Sequence, residues 1–235
     1  AAMSPFPKNE NELLWQIRRA YHFLWASAGY FLEMMIHQID ECCWIKDAWP
    51  TAAHGVGGRC ADSTDCSRNL DSYSIEYMFP DGSQALVTGR YLPNCFNDFA
   101  TYVQGSKRAA QFSGNVHAPT VQIYKDRRVA NDNIAWKPES EKVNPWQAEW
   151  NVLLEAIRND RPHNESRRAA MANYAALMGR AAVHSGKIVT WDQITESNFS
   201  FCPNVAELTA DSPAPVRADA NGRYSAPVPG KWTEV

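Results

Sequence analysis

The chain has 235 residues, 45% hydrophobic and 21% charged, enough for one well-packed core or two modest ones, which excludes disorder and fibrous repeats. Lys and Arg number 23 against 26 Asp and Glu, a formal charge of −3, so no electrostatic footprint points to nucleic acid or an anionic membrane. The expected partners are small molecules or other protein chains.

The opening residues, Ala1 to Pro5, lack the charged-then-apolar order of a signal peptide and no run reaches the roughly 20 apolar residues of a membrane helix. The chain does not begin with Met, which leaves room for a leader or an upstream domain and leaves location open: cytoplasmic by default, export possible. Residues 11–25 carry Leu14, Ile17, Tyr21 and Leu24 at helical spacing with Arg18, Arg19 and His22 between them, predicting an amphipathic helix. Ser27-Ala28-Gly29 interrupts it. A second helix is predicted over 30–45 from the stripe of Leu32, Ile36, Ile39 and Cys43, stopped by Trp49-Pro50.

From residue 51 to about 124 the pattern turns to short β-prone stretches. Residues 73–79 and 84–91 flank Pro80-Asp81-Gly82-Ser83 and read as a hairpin. Further strands are expected over 52–56, 99–104, 109–112 and 121–124, giving a mostly antiparallel sheet of about five or six strands, and 125–142 reads as polar connector. Asn144-Pro145 starts a helix with Trp146, Trp150, Leu153, Leu154 and Ile157 as its expected buried face, ended by residues 159–162. Asn164 caps a long Ala-rich helix to His184, closed by Ser185-Gly186, and 187–190 reads as a short strand. Pro203, Pro213, Pro215, Pro227 and Pro229 mark an extended tail over about 203–235, packed on the surface. Helices, strands, then helices predict an α+β fold: an open sheet with helices packed on one face, whose other face suits a second subunit.

At about 100° per residue, Glu33, His37 and Asp40 fall within roughly 60° of one another beside the apolar stripe. An imidazole flanked by carboxylates on a cleft-lining helix can exchange a proton with a substrate hydroxyl. On spacing alone the plainer reading, a satisfied polar seam between helices, is preferred. Glu33 and His37 as metal ligands lack a third partner, so no metal site is expected. His22, His54, His117, His163 and His184 are scattered singly and read as surface or capping residues. The glycines of Gly55-Val56-Gly57-Gly58-Arg59 match no phosphate-loop pattern and read as shaping a strand end, and no G-x-S-x-G elbow occurs. Of six cysteines, all expected to be mostly reduced, Cys60 and Cys66 are close enough in sequence to pair across a polar loop.

The run from Gly29 to Asp40 (GYFLEMMIHQID), followed by Trp44, Pro50 and Gly57-Gly58-Arg59, resembles the second-domain signature of the glucose-fructose oxidoreductase/inositol dehydrogenase/MocA (Gfo/Idh/MocA) family. Residues 16–18 and 23–25 are similar to the segment leading into that helix, 154–165 and 178–192 to its closing helices, and 208–215 to a bacterial branch. The resemblance covers nearly the whole chain. It implies that residues 1–235 are a single C-terminal substrate-binding and oligomerisation domain, with a dinucleotide-binding domain and its Glu-Lys-Pro motif lying upstream, so that this polypeptide alone is an inactive fragment. It implies NAD or NADP as cofactor, held mainly by that upstream domain, a carbohydrate or polyol substrate, and a homo-oligomer formed through the open sheet. By position it makes His37 the catalytic histidine. Glu33 stands where many members have Asp, one methylene shorter. Asp40, Tyr30 and Arg18 are the implied substrate-binding candidates. The implied activity is hydride transfer between a sugar or cyclitol hydroxyl and nicotinamide; the alternatives are an NAD-dependent glycosidase of the same fold and a non-catalytic sugar-binding or oligomerisation domain.

Overall fold

The computed structural model describes residues 2–114, 120–139 and 144–235, in an α+β fold of two four-stranded antiparallel sheets and several helices. The chain divides into two compact units, Ala1–Asn94 with Ala170–Val235, and Cys95–Ala169.

In the first unit α1 spans Glu12–Arg18, capped by the Asn11 side chain, and α2 spans Leu24–Ser27. The single helix expected over 11–25 is therefore broken. Arg19 leaves helical angles and Phe23 is extended, which drops the Phe23 ring into a core with Met3, Trp15, Cys66 and Tyr224. Burying that ring is worth about 1.5–3 kcal/mol, more than the helical hydrogen bonds forgone at the break. After Gly29, a π-turn over Phe31–Met35 leads into α3, Ile36–Lys46.

Strands β1 (Ala52–Gly58), β2 (Ser72–Met78) and β3 (Gln84–Arg90) form a meander. The hairpin closes as its sequence predicts: Met78 faces Gln84, the Phe79 amide donates to the Ser83 carbonyl at 2.9 Å, and Asp81 accepts from the Ser83 amide at 3.0 Å. One face of β2, Tyr73, Ile75 and Tyr77, is buried beneath Phe31, Met35 and Ile39 on one side and Ala175, Ala182 and Val183 on the other. The opposite face stays open, with Val56 73% and Leu86 69% exposed.

In the second unit β4 (Thr101–Gln104), β5 (Ala109–Ser113), β6 (Gln122–Tyr124) and β7 (Ile134–Trp136) make a separate sheet. The expected single sheet is thus two. Pro93 offers no amide to a ladder and Asn94 adopts φ +59°, so extended pairing is interrupted between β3 and β4. The connector expected over 125–142 contributes β7, and its last residues lie outside the described ones. Helix α4 (Pro145–Arg158) starts at its predicted cap, Asn144 accepting from the amides of Trp146 and Gln147. Its expected buried face is exposed: Trp146 is 63%, Trp150 59% and Ile157 66% accessible, and Ala156 is its buried residue. Helical period shows which side chains share a face, not whether anything covers it.

Helix α5 (Ser166–Ser185) follows, then β8 (Val189–Thr190), which pairs with β1, and a short capped α6 (Trp191–Thr195). Helix α5 lies close on the sheet because small residues meet there. A Cβ on Gly179 would sit 1.9 Å from the Tyr77 hydroxyl, itself donating to the Ala175 carbonyl at 3.1 Å. Gly179→Ala should therefore destabilise by about 1–3 kcal/mol through overpacking, although Ala is the better helix former by about 1 kcal/mol. Urea unfolding checks the sign. The tail is extended as expected, yet it is more than a surface wrap, since Ala214, Tyr224 and Glu234 are buried.

Candidate functional site

The helix start that carries the candidate residues is pinned from two sides. Asn69 Oδ1 accepts from the Tyr30 amide at 3.0 Å, and the Arg180 guanidinium donates from Nη1 to the Ala28 carbonyl at 2.9 Å. Ala28 and Gly29 both have positive φ, and a Cβ on Gly29 would lie 2.6 Å from Asn69 Oδ1, so glycine is required there. Arg59 holds the loop bearing Asn69 by donating to the carbonyls of Ser67, at 2.8 Å, and Asn69. The glycines before it serve packing: a Cβ on Gly55 or Gly57 would strike Val183 of α5 and the carbonyls of β2. They form no phosphate cradle.

Beyond this anchor, Phe31, Leu32, Met35 and Ile39 turn into the core while Glu33 and His37 are exposed and Asp40 is half-buried. The π-turn covers residues 31–35 and turns less per residue than an α-helix, which brings Glu33 closer into line with His37 than the 40° offset of an α-helical i, i+4 pair. The sequence pattern gives no sign of this. Tyr30 is buried, its ring tilted at 34° against that of Tyr91 with centroids 4.4 Å apart, its hydroxyl donating to the Arg90 carbonyl at 3.4 Å. Tyr21 completes the cluster, 6.1 Å from Tyr30 and 5.9 Å from Tyr91, and burial, with the neighbouring phenols, raises its hydroxyl pKa. Arg18 lies at the surface in an ion pair with Glu10 at 2.7 Å.

The largest departure from the sequence reading is His184, expected at the surface or as a cap and found fully buried. Its Nδ1–H donates to Glu234 Oε1, and its Nε2 accepts from the Tyr73 hydroxyl at 3.0 Å, which itself accepts from the Leu70 amide at 3.4 Å. Glu234 also accepts from Trp232 Nε1 at 2.9 Å and from Arg180 Nε at 2.9 Å. A tail carboxylate thus orients the arginine that holds the Ala28 carbonyl. Single residues separated by 50 positions leave no periodic signal for such a network. His22 is half-buried with Nδ1 enclosed and unpartnered among the described residues. His54 and His163 lie near Glu76 and Glu165, at 3.7 Å and 3.8 Å, and His117 falls outside the described residues. Cys60 and Cys66 are both free thiols, and no cluster of three metal-ligating side chains occurs among the described residues. No helix among them is long and apolar enough to cross a membrane.

The network has a pH signature. Burial lowers His184 below its ordinary 6.5, so the imidazole is neutral. Burial alone would raise Glu234, but Arg180 and the His184 and Trp232 donors bring it down to about 2 from an ordinary 4.5. Both groups bind protons more readily unfolded than folded, so each stabilises the fold at neutral pH and loses that contribution as pH falls. Stability should decline from about pH 6.5 downward, steepening below about 4.5; urea midpoints across that range check it, and Glu234→Gln should flatten the lower limb.

No protein-family model and no curated protein matches the chain. Solved structures do. Aldose-aldose oxidoreductase from Caulobacter crescentus, complexed with glycerol, is similar at TM-score 0.56 and 18% identity over 80% of this chain and 52% of that one. Scyllo-inositol dehydrogenase from Lactobacillus casei, with bound NAD(H) and scyllo-inositol, gives 0.52 and 18% over 77% and 53%. UDP-N-acetylglucosamine 3-dehydrogenase GnnA from Acidithiobacillus ferrooxidans gives 0.52 and 19% over 65% and 46%. The chain spans about half the length of each. Its fold is that of about half of each of these oxidoreductases.

Proposed function

We propose that this chain is the C-terminal, substrate-handling part of a nicotinamide-dependent oxidoreductase acting on a hydroxyl of a sugar or cyclitol. The observation that carries the reading is the helix after Gly29: its apolar residues are buried, its start is fixed at both Ala28 and Tyr30, and Glu33 and His37 share its exposed edge. Side chains on a rigid, doubly anchored helix hold the geometry that proton transfer needs.

NAD or NADP, when bound, supplies the hydride acceptor. Gly55 and Gly57 pack against α5 and the β2 carbonyls, and this reading assigns the dinucleotide to an upstream domain. On this reading residues 1–235 act as one C-terminal substrate-binding and oligomerisation domain beside that upstream one. His37 takes the hydroxyl proton as the carbon is oxidised. Glu33, one turn earlier, accepts a hydrogen bond from the same or the adjacent hydroxyl and sets its orientation. Asp40 extends the polar edge by a further turn. Tyr30 acts from beneath as a packing element of the substrate wall, and Arg18, paired with Glu10, contributes at most at the rim. The open outer face of β1 to β3, with Val56 and Leu86 exposed, fits a second copy of the chain.

The test is cofactor reduction by the complete enzyme with NAD or NADP and a panel of aldoses and inositols. Accumulation of reduced nicotinamide is expected. Cleavage of a glycoside without net reduction would replace this reading by an NAD-dependent glycosidase, and no turnover together with saturable sugar binding would make the chain a binding domain.

A further inference from the structure

A cavity whose lining contains none of the residues of the Glu33–His37 edge lies in the first unit. It has a volume of about 350 Å³, and its walls include Trp25, Tyr174, Phe199, Phe201, Arg180 and Glu234. This is the lower end of the range for small-molecule sites, and a lining of aliphatic and aromatic side chains with a few polar groups, here Arg180, Glu234, Ser197 and Ser200, is usual for them.

Hydrogen-bond arithmetic fixes what it can receive. Glu234 Oε1 accepts from both His184 and Trp232, and Oε2 accepts from Arg180 Nε, which leaves the carboxylate one further lone pair against the several donors around it. Arg180 spends Nε on Glu234 and Nη1 on the Ala28 carbonyl, so its Nη2 edge has no acceptor among the described residues although the side chain is only 4% exposed. The cavity's charged wall thus has a buried donor edge to spare, which an occupant carrying an acceptor would meet. Charge agrees. Around Glu234 stand two guanidiniums, Arg180 and Arg68, against one carboxylate and a neutral imidazole, an excess of one positive charge in a buried setting. The guanidinium lies 5.3 Å from the centre of the Phe201 ring, and Phe199 meets that ring edge-on at 4.8 Å, so flat apolar surface flanks the donor.

We infer that this cavity is a binding site for a small organic carboxylate with a flat, apolar body, its carboxylate on the Nη2 edge of Arg180 and its body against Phe199, Phe201 and Trp25. The inference does not rest on the proposed oxidoreductase activity, because none of the walls it uses belongs to the Glu33–His37 edge.

Calorimetric titration of the full chain with benzoate, and with benzyl alcohol as the uncharged analogue, tests it. Benzoate should bind saturably and at least about tenfold tighter than the alcohol, the margin of one charge-assisted hydrogen bond. Phe199→Ala, at a half-exposed wall residue outside the buried network, should weaken benzoate by about three- to tenfold while the protein stays folded. Arg180→Lys, if folded by circular dichroism, should abolish the preference for the carboxylate. Equal affinity for acid and alcohol, indifference to Phe199→Ala, or no saturable binding would each overturn the assignment.

Discussion

His37→Ala in the complete enzyme should lower kcat by about 10²–10⁴-fold, the usual contribution of a positioned general base. The structure makes this a clean experiment. His37 is exposed on a helix whose buried side is carried by Phe31, Leu32, Met35 and Ile39, so its truncation should move stability by no more than about 0.5 kcal/mol. Glu33→Asp keeps the carboxylate and should be tolerated, whereas Glu33→Ala should raise KM or lower kcat by removing the hydroxyl's partner. Full activity in both His37→Ala and Glu33→Ala would sink the site assignment. Steady-state kinetics beside thermal melts separates the cases.

Glu234→Ala should be the most damaging single change to stability, costing about 3–5 kcal/mol, because it leaves the Arg180 guanidinium buried without its counter-charge and strips the acceptor from His184 and Trp232. For a chain of this size that corresponds to a fall in Tm of order 10 °C. The comparison that makes the number meaningful is Glu10→Ala, which removes the exposed partner of Arg18 and should cost under about 1 kcal/mol. The two carboxylates pair with arginine at similar distances, 2.9 Å and 2.7 Å. Burial, and the two further donors that Glu234 serves, separate their effects. Because Arg180 also holds the Ala28 carbonyl, milder variants such as Glu234→Gln should loosen the start of the helix carrying Glu33 and His37. Hydrogen exchange of the amides of residues 29–33 would report that loosening, and unchanged protection there would detach the tail from the site.

The local elements were legible because local chemistry decides them. Alternating apolar residues around Pro80-Asp81-Gly82 specify the β2–β3 hairpin, Asn144-Pro145 sets the start of α4, Gly186 ends α5, and the 3.6-residue stripe from Leu32 to Cys43 places Glu33, His37 and Asp40 along one edge. Those are interactions within a few residues of one another, and the sequence carries them in full. What the tertiary structure decided depends on distant partners. The break at Arg19 follows from where Phe23 finds its core, the separation of the sheets from the path taken after Pro93, and the exposure of Trp146 and Trp150 from the lack of a covering element among the described residues. His184 and Glu234 make the same point most sharply. Each is an isolated titratable residue in the sequence, and only the fold, by bringing the tail to α5, supplies the burial that keeps His184 a neutral donor and the arginine that holds Glu234 ionised at neutral pH.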